Sequence, residues 1–139
     1  IDRLIKFHKK KINDFDIVVP CIKGLNLDSK NIVKVIFNKK GKVFYLSRAS
    51  IPYDFHNLNK KLYKHLSIIS FKRESLIKFS NFKMSKYEKI EGVELLRAIE
   101  NNLKVGTFIS KSSSFAVDIK ADLDRAHLIL PSDKLRKKY

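Results

Sequence analysis

Six side chains stand where their chemistry asks for a partner: Arg48, His65, Glu88, Glu91, Glu94 and Asp118. Alternation along a strand puts Phe44, Leu46 and Arg48 on one face, so a guanidinium closes an apolar row. Such a charge is costly to bury without an anion beside it. That points to an anionic ligand or, no less readily, to one of the chain's own carboxylates or a strand end already in solvent. His65 opens the string H-L-S-I-I-S-F, which reads as a strand with Ser67, Ile69 and Phe71 on the same face. Its imidazole suits a hydroxyl or carboxylate at a pocket mouth, or simple packing, and no second histidine stands at metal-ligand spacing. Glu88, Glu91 and Glu94 are three residues apart, so on a helix their carboxylates turn by about 60° each and repel one another. Glu88 is accounted for by a capping box with Ser85, and Glu91 by a neighbouring lysine. Glu94 is left needing either a ligand or an ion pair with Arg97 or Arg125. Asp118 follows a short apolar run and precedes a helix, the place of a magnesium ligand in α/β enzymes and equally of an N-cap.

The elements that must carry these groups follow from pattern. Ile1, Leu4, Ile5, His8 and Ile12 are at helical spacing, and the chain starts inside this pattern, as a piece cut from a longer protein would. Asp16 to Ile22 is a short β-branched apolar run that suits a buried strand, with Pro20 limiting its ladder. Val33 to Phe37 and Lys42 to Leu46 flank Asn38-Lys39-Lys40-Gly41 and predict a β-hairpin. Ser50 to Lys61 is irregular and polar. His65 to Phe71 resumes as a strand, and a short helix follows with Leu76, Ile77 and Phe79 inward. Ser85 then caps a helix whose stripe is Tyr87, Ile90, Val93, Leu96, Ile99 and Leu103. Val105 to Ile109 is a last strand, Lys111 to Ser114 a loop, Phe115 to Val117 an extended piece leading to Asp118, and Ile119 to Leu130 a final helix. Strands interleaved with helices predict an α/β layer structure.

Composition sets the bounds. One domain fits 139 residues, and 44% hydrophobic residues supply a core despite the charge. A single cysteine, Cys21, allows neither an internal disulfide nor a thiolate cage and suits the cytoplasm. No apolar run approaches the roughly 18 to 20 residues of a membrane span, so no membrane partner is expected. The net charge of +16 invites a nucleic-acid reading, but 24 of the 30 basic residues are lysines spread over every segment. A solvated lysine-rich surface is the better account than an arginine-and-aromatic binding stripe. The chain holds none of the usual glycine-rich phosphate cradles.

Four stretches, in order, resemble the second half of the 3-deoxy-manno-octulosonate cytidylyltransferases, also called CMP-KDO synthetases. NIVKVIFNKKGKVFYLSRASIPYD matches a hairpin running into an S-R-x-x-I-P segment, and KHLSIISFKRESLIKF a strand and helix that begin R-H-x-G-I-Y. SKYEKIEGVELLRAIENN matches the S-x-L-E-x-x-E-x-L-E-Q-L-R helix, and FAVDIKADLDRA a G-V-D-T segment. The resemblance covers about Asn31 to Ala126. It implies a mixed sheet with flanking helices of the nucleotidyltransferase (nucleotide-diphospho-sugar transferase-like) fold, incomplete on its amino-terminal side, with residues 1–139 as the carboxy-terminal, sugar-binding and dimerisation part of one domain. It implies a cytoplasmic homodimer using Mg²⁺, in which CTP activates an eight-carbon sugar acid as its CMP ester for lipopolysaccharide synthesis, with release of pyrophosphate. On that template Arg48, His65 and Glu94 bind the sugar and Asp118 binds magnesium. Departures stand at Ser67, Ile69 and Leu95, where the family has Gly, Tyr and Gln. The family's basic glycine-containing loop and its Q-G-D-E-P segment are not in these residues, so no turnover is expected of this chain alone. Two alternatives belong to other classes: a degenerate sugar-binding or dimerisation module, and a basic nucleic-acid-binding domain.

Overall fold

Strand β1 (Ile17–Gly24) organises the molecule. Side chains alternate across a strand, and here Ile17, Val19 and Cys21 enter one core while Val18 enters another. Burial on both faces explains why this segment reads as an unbroken apolar run. The computed structural model describes residues 1–24, 29–58, 60–111, 117 and 120–132.

Along one edge of β1 runs β6 (Val105–Ile109), parallel, with Ile17 opposite Val105 and Cys21 opposite Ile109. Along the other edge lie two antiparallel strands end to end, β4 (Leu62–His65) at Cys21–Gly24 and β5 (Ser70–Phe71) at Ile17–Val18. The hairpin of β2 (Lys34–Phe37) and β3 (Val43–Ser47) extends the sheet beyond β4. Helix α1 (Asp2–Lys10) covers one face, where Leu4 packs with Phe15 and Val18. The other face is covered by α3 (Lys86–Glu91) and α4 (Leu95–Glu100), with Val93, Leu95, Leu96 and Ala98 in its core, and α2 (Arg73–Asn81) adds Phe79. Helix α5 (Lys120–Ile129) buries no residue. The mixed α/β layering, the hairpin and the capping box at Ser85 are as expected.

Two expected elements are each broken in two. The segment His65 to Phe71 is not one strand: β4 ends at His65 and β5 begins at Ser70. The cause sits across the ladder at Pro20, which has no N–H to give; its carbonyl accepts from Leu66, and the partner chain then loops out before rejoining at Val18. Between the pairs Cys21 with His65 and Val18 with Ser70 this partner carries two more residues than β1. His65 therefore closes a strand where the pattern had it open one. The helix expected from Ser85 to Leu103 stops at Gly92, whose φ of 61° ends α3 in the left-handed region. In consequence Tyr87 and Ile90 stay largely exposed, while Glu88 is buried. In α2 the inward position is Ser75, with Leu76 and Ile77 half-exposed, and in α1 His8 joins Leu4 inside while Ile5 and Ile12 do not.

Two polar residues tie the layers together. Asp16 sits just before β1: its carboxylate accepts from the Lys104 N–H (2.8 Å), the Lys72 ammonium (3.3 Å) and the Ser75 hydroxyl (3.3 Å). Burial alone would raise its pKa, but these donors outweigh it and hold the carboxyl below the ordinary aspartate value. His8 reaches across from α1, with Nδ1 2.7 Å from Ser70 Oγ and Nε2 3.3 Å from the Phe15 carbonyl. A carbonyl only accepts, so Nε2 carries the proton and Nδ1 accepts from Ser70.

Two predictions follow from this packing. A Cβ on Gly106 would meet the buried Phe15 ring at 2.4 Å, so Gly106→Ala should cost roughly 1–3 kcal/mol by overpacking; a urea midpoint equal to that of the parent would contradict this contact. For His8, burial lowers the pKa below 6.5, aided by Lys72 and opposed by the Phe15 carbonyl and Asp16. The folded state thus prefers neutral imidazole, and the His8 contribution is complete above pH 6.5 and lost as pH falls below it. Between pH 7 and pH 5 the parent should lose more stability in denaturant titrations than His8→Gln, and parallel losses would count against the latch.

Candidate functional site

Arg48 leaves the end of β3 and is held from three directions. Beneath it, Lys34 is 1% exposed, and its ammonium donates to the carbonyls of Ser29 (2.8 Å) and Arg48 itself (2.6 Å). The guanidinium donates from Nε to the Glu91 carbonyl (2.6 Å), from one Nη to Lys30 (2.9 Å) and from the other to Gly92 (3.3 Å). Carbonyls at the end of α3 have no helical partner of their own, and a cation there is favourable. In return the Glu91 carboxylate accepts the Arg48 backbone N–H (2.7 Å) and the Ser47 hydroxyl (2.9 Å). The guanidinium is therefore bonded to backbone carbonyls, two of them at the exposed surface, and three of its five N–H donors are committed. The apolar row before it is short, since Leu46 is buried and Phe44 is 52% exposed.

His65 ends β4 opposite Cys21, and its backbone N–H donates to Val33 (2.8 Å). Its imidazole Nε2 is buried and has no hydrogen-bond partner among the described residues. Burial pulls its pKa down to about 4, against the upward pull of the Glu94 carboxylate. The ring is neutral at pH 7 and too weakly basic to serve as an effective general base there, but it can hydrogen-bond a hydroxyl. Glu94 is exposed, between buried Val93 and Leu95 at the start of α4. Two links connect the three predicted residues. Arg48 is bonded to Glu91 and Gly92, Glu94 follows two residues later, and the charge of Glu94 acts on His65. A neutral imidazole, a carboxylate whose charge reaches it and a guanidinium with donors to spare are groups that can hydrogen-bond hydroxyls and an anion.

Several expectations need correction. Glu91 is not balanced by a lysine; it is bonded to the end of β3. Arg97 pairs with Glu88 (3.3 Å) and lies 4.4 Å from the Phe79 ring centroid, so the Arg97 partner weighed for Glu94 goes to another carboxylate. Glu88 keeps its capping box with Ser85, and the Ser85 hydroxyl donates also to Glu100. Leu95 is 2% exposed and part of the core, whereas Ile69 is at the surface. Asp118 and its extended lead-in lie outside the described residues, apart from Val117. Among the described residues no group of three or more His, Cys, Asp or Glu could hold a metal ion. Lys34 was missed because a lysine inside an apolar strand looks like a surface position until the strand is covered.

Two cavities, of about 510 and about 460 Å³, involve none of Arg48, His65 and Glu94. The second is lined by Lys11, Lys40, Lys42 and Lys104, beside the residues that precede β1 and β6. No helix among the described residues is long and apolar enough to cross a membrane.

A cytidylyltransferase family model matches residues 1–106. A 3-deoxy-manno-octulosonate cytidylyltransferase of Thermodesulfovibrio yellowstonii is 34% identical over 94% of this chain and 54% of its own length. Those of Leptospira interrogans and Rickettsia prowazekii are 37% and 35% identical over 77% and 84% of this chain, and 42% and 46% of their own. The chain therefore spans about half the length of the curated relatives it matches. A solved CMP:2-keto-3-deoxy-manno-octonic acid synthetase complexed with CTP superposes with a TM-score of 0.86 at 22% identity, over 94% of this chain and 55% of that one, which establishes the nucleotidyltransferase-like fold. With well over half of its residues matched by the family model, the chain belongs to the cytidylyltransferase family.

Proposed function

We propose that this chain supplies the sugar-acid-binding part of a 3-deoxy-manno-octulosonate cytidylyltransferase. The observation that carries the reading is the buried Nε2 of His65, without a partner among the described residues and within reach of the Glu94 charge, with Arg48 bonded to the turn that leads to Glu94. Buried polar atoms are nearly always paired, and a substrate hydroxyl would complete this one. In the reaction, the anomeric hydroxyl of the sugar attacks the α-phosphate of CTP, a new C–O–P linkage forms, and pyrophosphate leaves. Arg48 faces the sugar carboxylate with its remaining donors, while His65 and Glu94 orient the hydroxyls. These residues act by placing the nucleophile, which is where much of the rate of such a bimolecular step arises.

The remaining parts of the reading are proposals of the same kind. CTP binding falls to the part of the relatives that this chain does not span, so turnover requires that part as well. Magnesium would be held by Asp118 together with nucleotide phosphate; the described residues offer no cage for it. A cytoplasmic homodimer serving lipopolysaccharide synthesis completes the picture. A second reading, a binding module without turnover, is favoured by Leu95 and Ile69, where polar residues stand in the family pattern.

Calorimetry of the chain against 3-deoxy-manno-octulosonate should show binding, and His65→Ala should weaken it about tenfold, the worth of one or two hydrogen bonds. No heat with the parent chain would overturn the reading. Supplying the amino-terminal half of the Thermodesulfovibrio yellowstonii relative should give sugar-dependent pyrophosphate release from CTP. Binding without release would favour the second reading. The His65 ring should titrate near pH 4 in NMR, so sugar affinity should show no step at pH 6–7; such a step, lost in His65→Ala, would contradict the neutral, buried imidazole.

A further inference from the structure

Resting on the sugar-acid reading above, we infer that Glu91 is a positioning residue of that site, setting Arg48 and Glu94 against His65 without touching the sugar. Three observations lead there. First, Glu91 joins two elements far apart in sequence: its carboxylate takes the Arg48 N–H and the Ser47 hydroxyl, and its carbonyl takes Arg48 Nε. Arg48 donates in both bonds, once from its backbone to the Glu91 side chain and once from its side chain to the Glu91 backbone, so neither residue can turn without the other. Second, Glu91 begins the tetrad Glu91-Gly92-Val93-Glu94, in which Gly92 makes the left-handed turn and Val93 is 6% exposed. The clamp at one end and buried Val93 and Leu95 around the other leave Glu94 little freedom. Third, the clamp is partly buried. Lys34 holds the Arg48 carbonyl from beneath, and Tyr45 faces the carboxylate, its hydroxyl held protonated by burial and by the Glu91 charge. Partly buried bonds are stronger than the same bonds fully in water, and a binding constellation depends on such a supporting shell.

A residue that merely stabilises the fold would lower stability and leave affinity alone, so the test sets the two apart. The variants are Glu91→Ala and the near-isosteric Glu91→Gln, which keeps one acceptor for the Arg48 N–H. Asp16→Asn serves as control, since it removes bonds at the other end of β1. Each 139-residue chain is titrated with 3-deoxy-manno-octulosonate by calorimetry, and exchange of the Arg48 Nε–H with solvent is followed by NMR. Glu91→Ala should weaken binding about tenfold and speed Arg48 Nε–H exchange by a similar factor. Glu91→Gln should fall between it and the parent, and Asp16→Asn should keep the parental affinity. If Glu91→Ala does not fold, the gap between Glu91→Gln and the parent decides in the same sense. Parental affinity in a folded Glu91 variant, or an equal loss in Asp16→Asn, would overturn the inference while leaving the functional reading intact. No binding by the unaltered chain would overturn both.

Discussion

The end of β3 and the turn after α3 are joined by the paired bonds of Arg48 and Glu91, and the candidate site rests on that joint. A guanidinium at the close of an apolar row and a carboxylate on a helix crowded with other carboxylates would each be a liability alone. Together they satisfy one another's donors and acceptors, with Lys34 filling the carbonyls below. A cation 1% exposed is expensive unless well bonded, and the spending is concentrated here, against Arg48, while Asp16 serves a purely structural role at the other end of β1.

A second constraint comes from a residue that lacks a donor. Pro20 interrupts the ladder on the β4–β5 side of β1, so β4 ends at His65 and the chain loops out. An imidazole in mid-strand would pack against flanking side chains; at a strand end its Nε2 is buried and has no partner among the described residues. Covering the sheet with α3 and α4 then brings Glu94 close enough for its charge to act on that ring. The backbone of β1 thus decides where His65 stands, as the clamp decides where Arg48 stands.

How far the sequence revealed this depended on the range of the interaction. The hairpin around Asn38-Lys39-Lys40-Gly41 and the Ser85–Glu88 capping box are local, and both were legible. So was β1, whose apolar run reflects two covered faces. The split between β4 and β5 was not, because its cause lies at Pro20 on a different strand. The break at Gly92 was masked by an apolar stripe that continues at helical spacing through it. Arg48, His65 and Glu94 could be named as residues in need of partners, and the family resemblance gave them a common purpose. The roles of Glu91 and Lys34 could not be read, since their partners are 44 and 14 residues away and only the folded chain brings them together. Asp118, the proposed metal ligand, lies outside the described residues.

The central claim is that Arg48, His65 and Glu94 form one surface for an acidic sugar. An NMR titration of the 139-residue chain with 3-deoxy-manno-octulosonate tests it most directly. The account predicts saturable shifts concentrated at the His65 ring, the Arg48 Nε–H and the Glu94 amide, with the lysines around the distant cavity unmoved. Shifts gathered at Lys11, Lys40, Lys42 and Lys104, with those three residues silent, would contradict it.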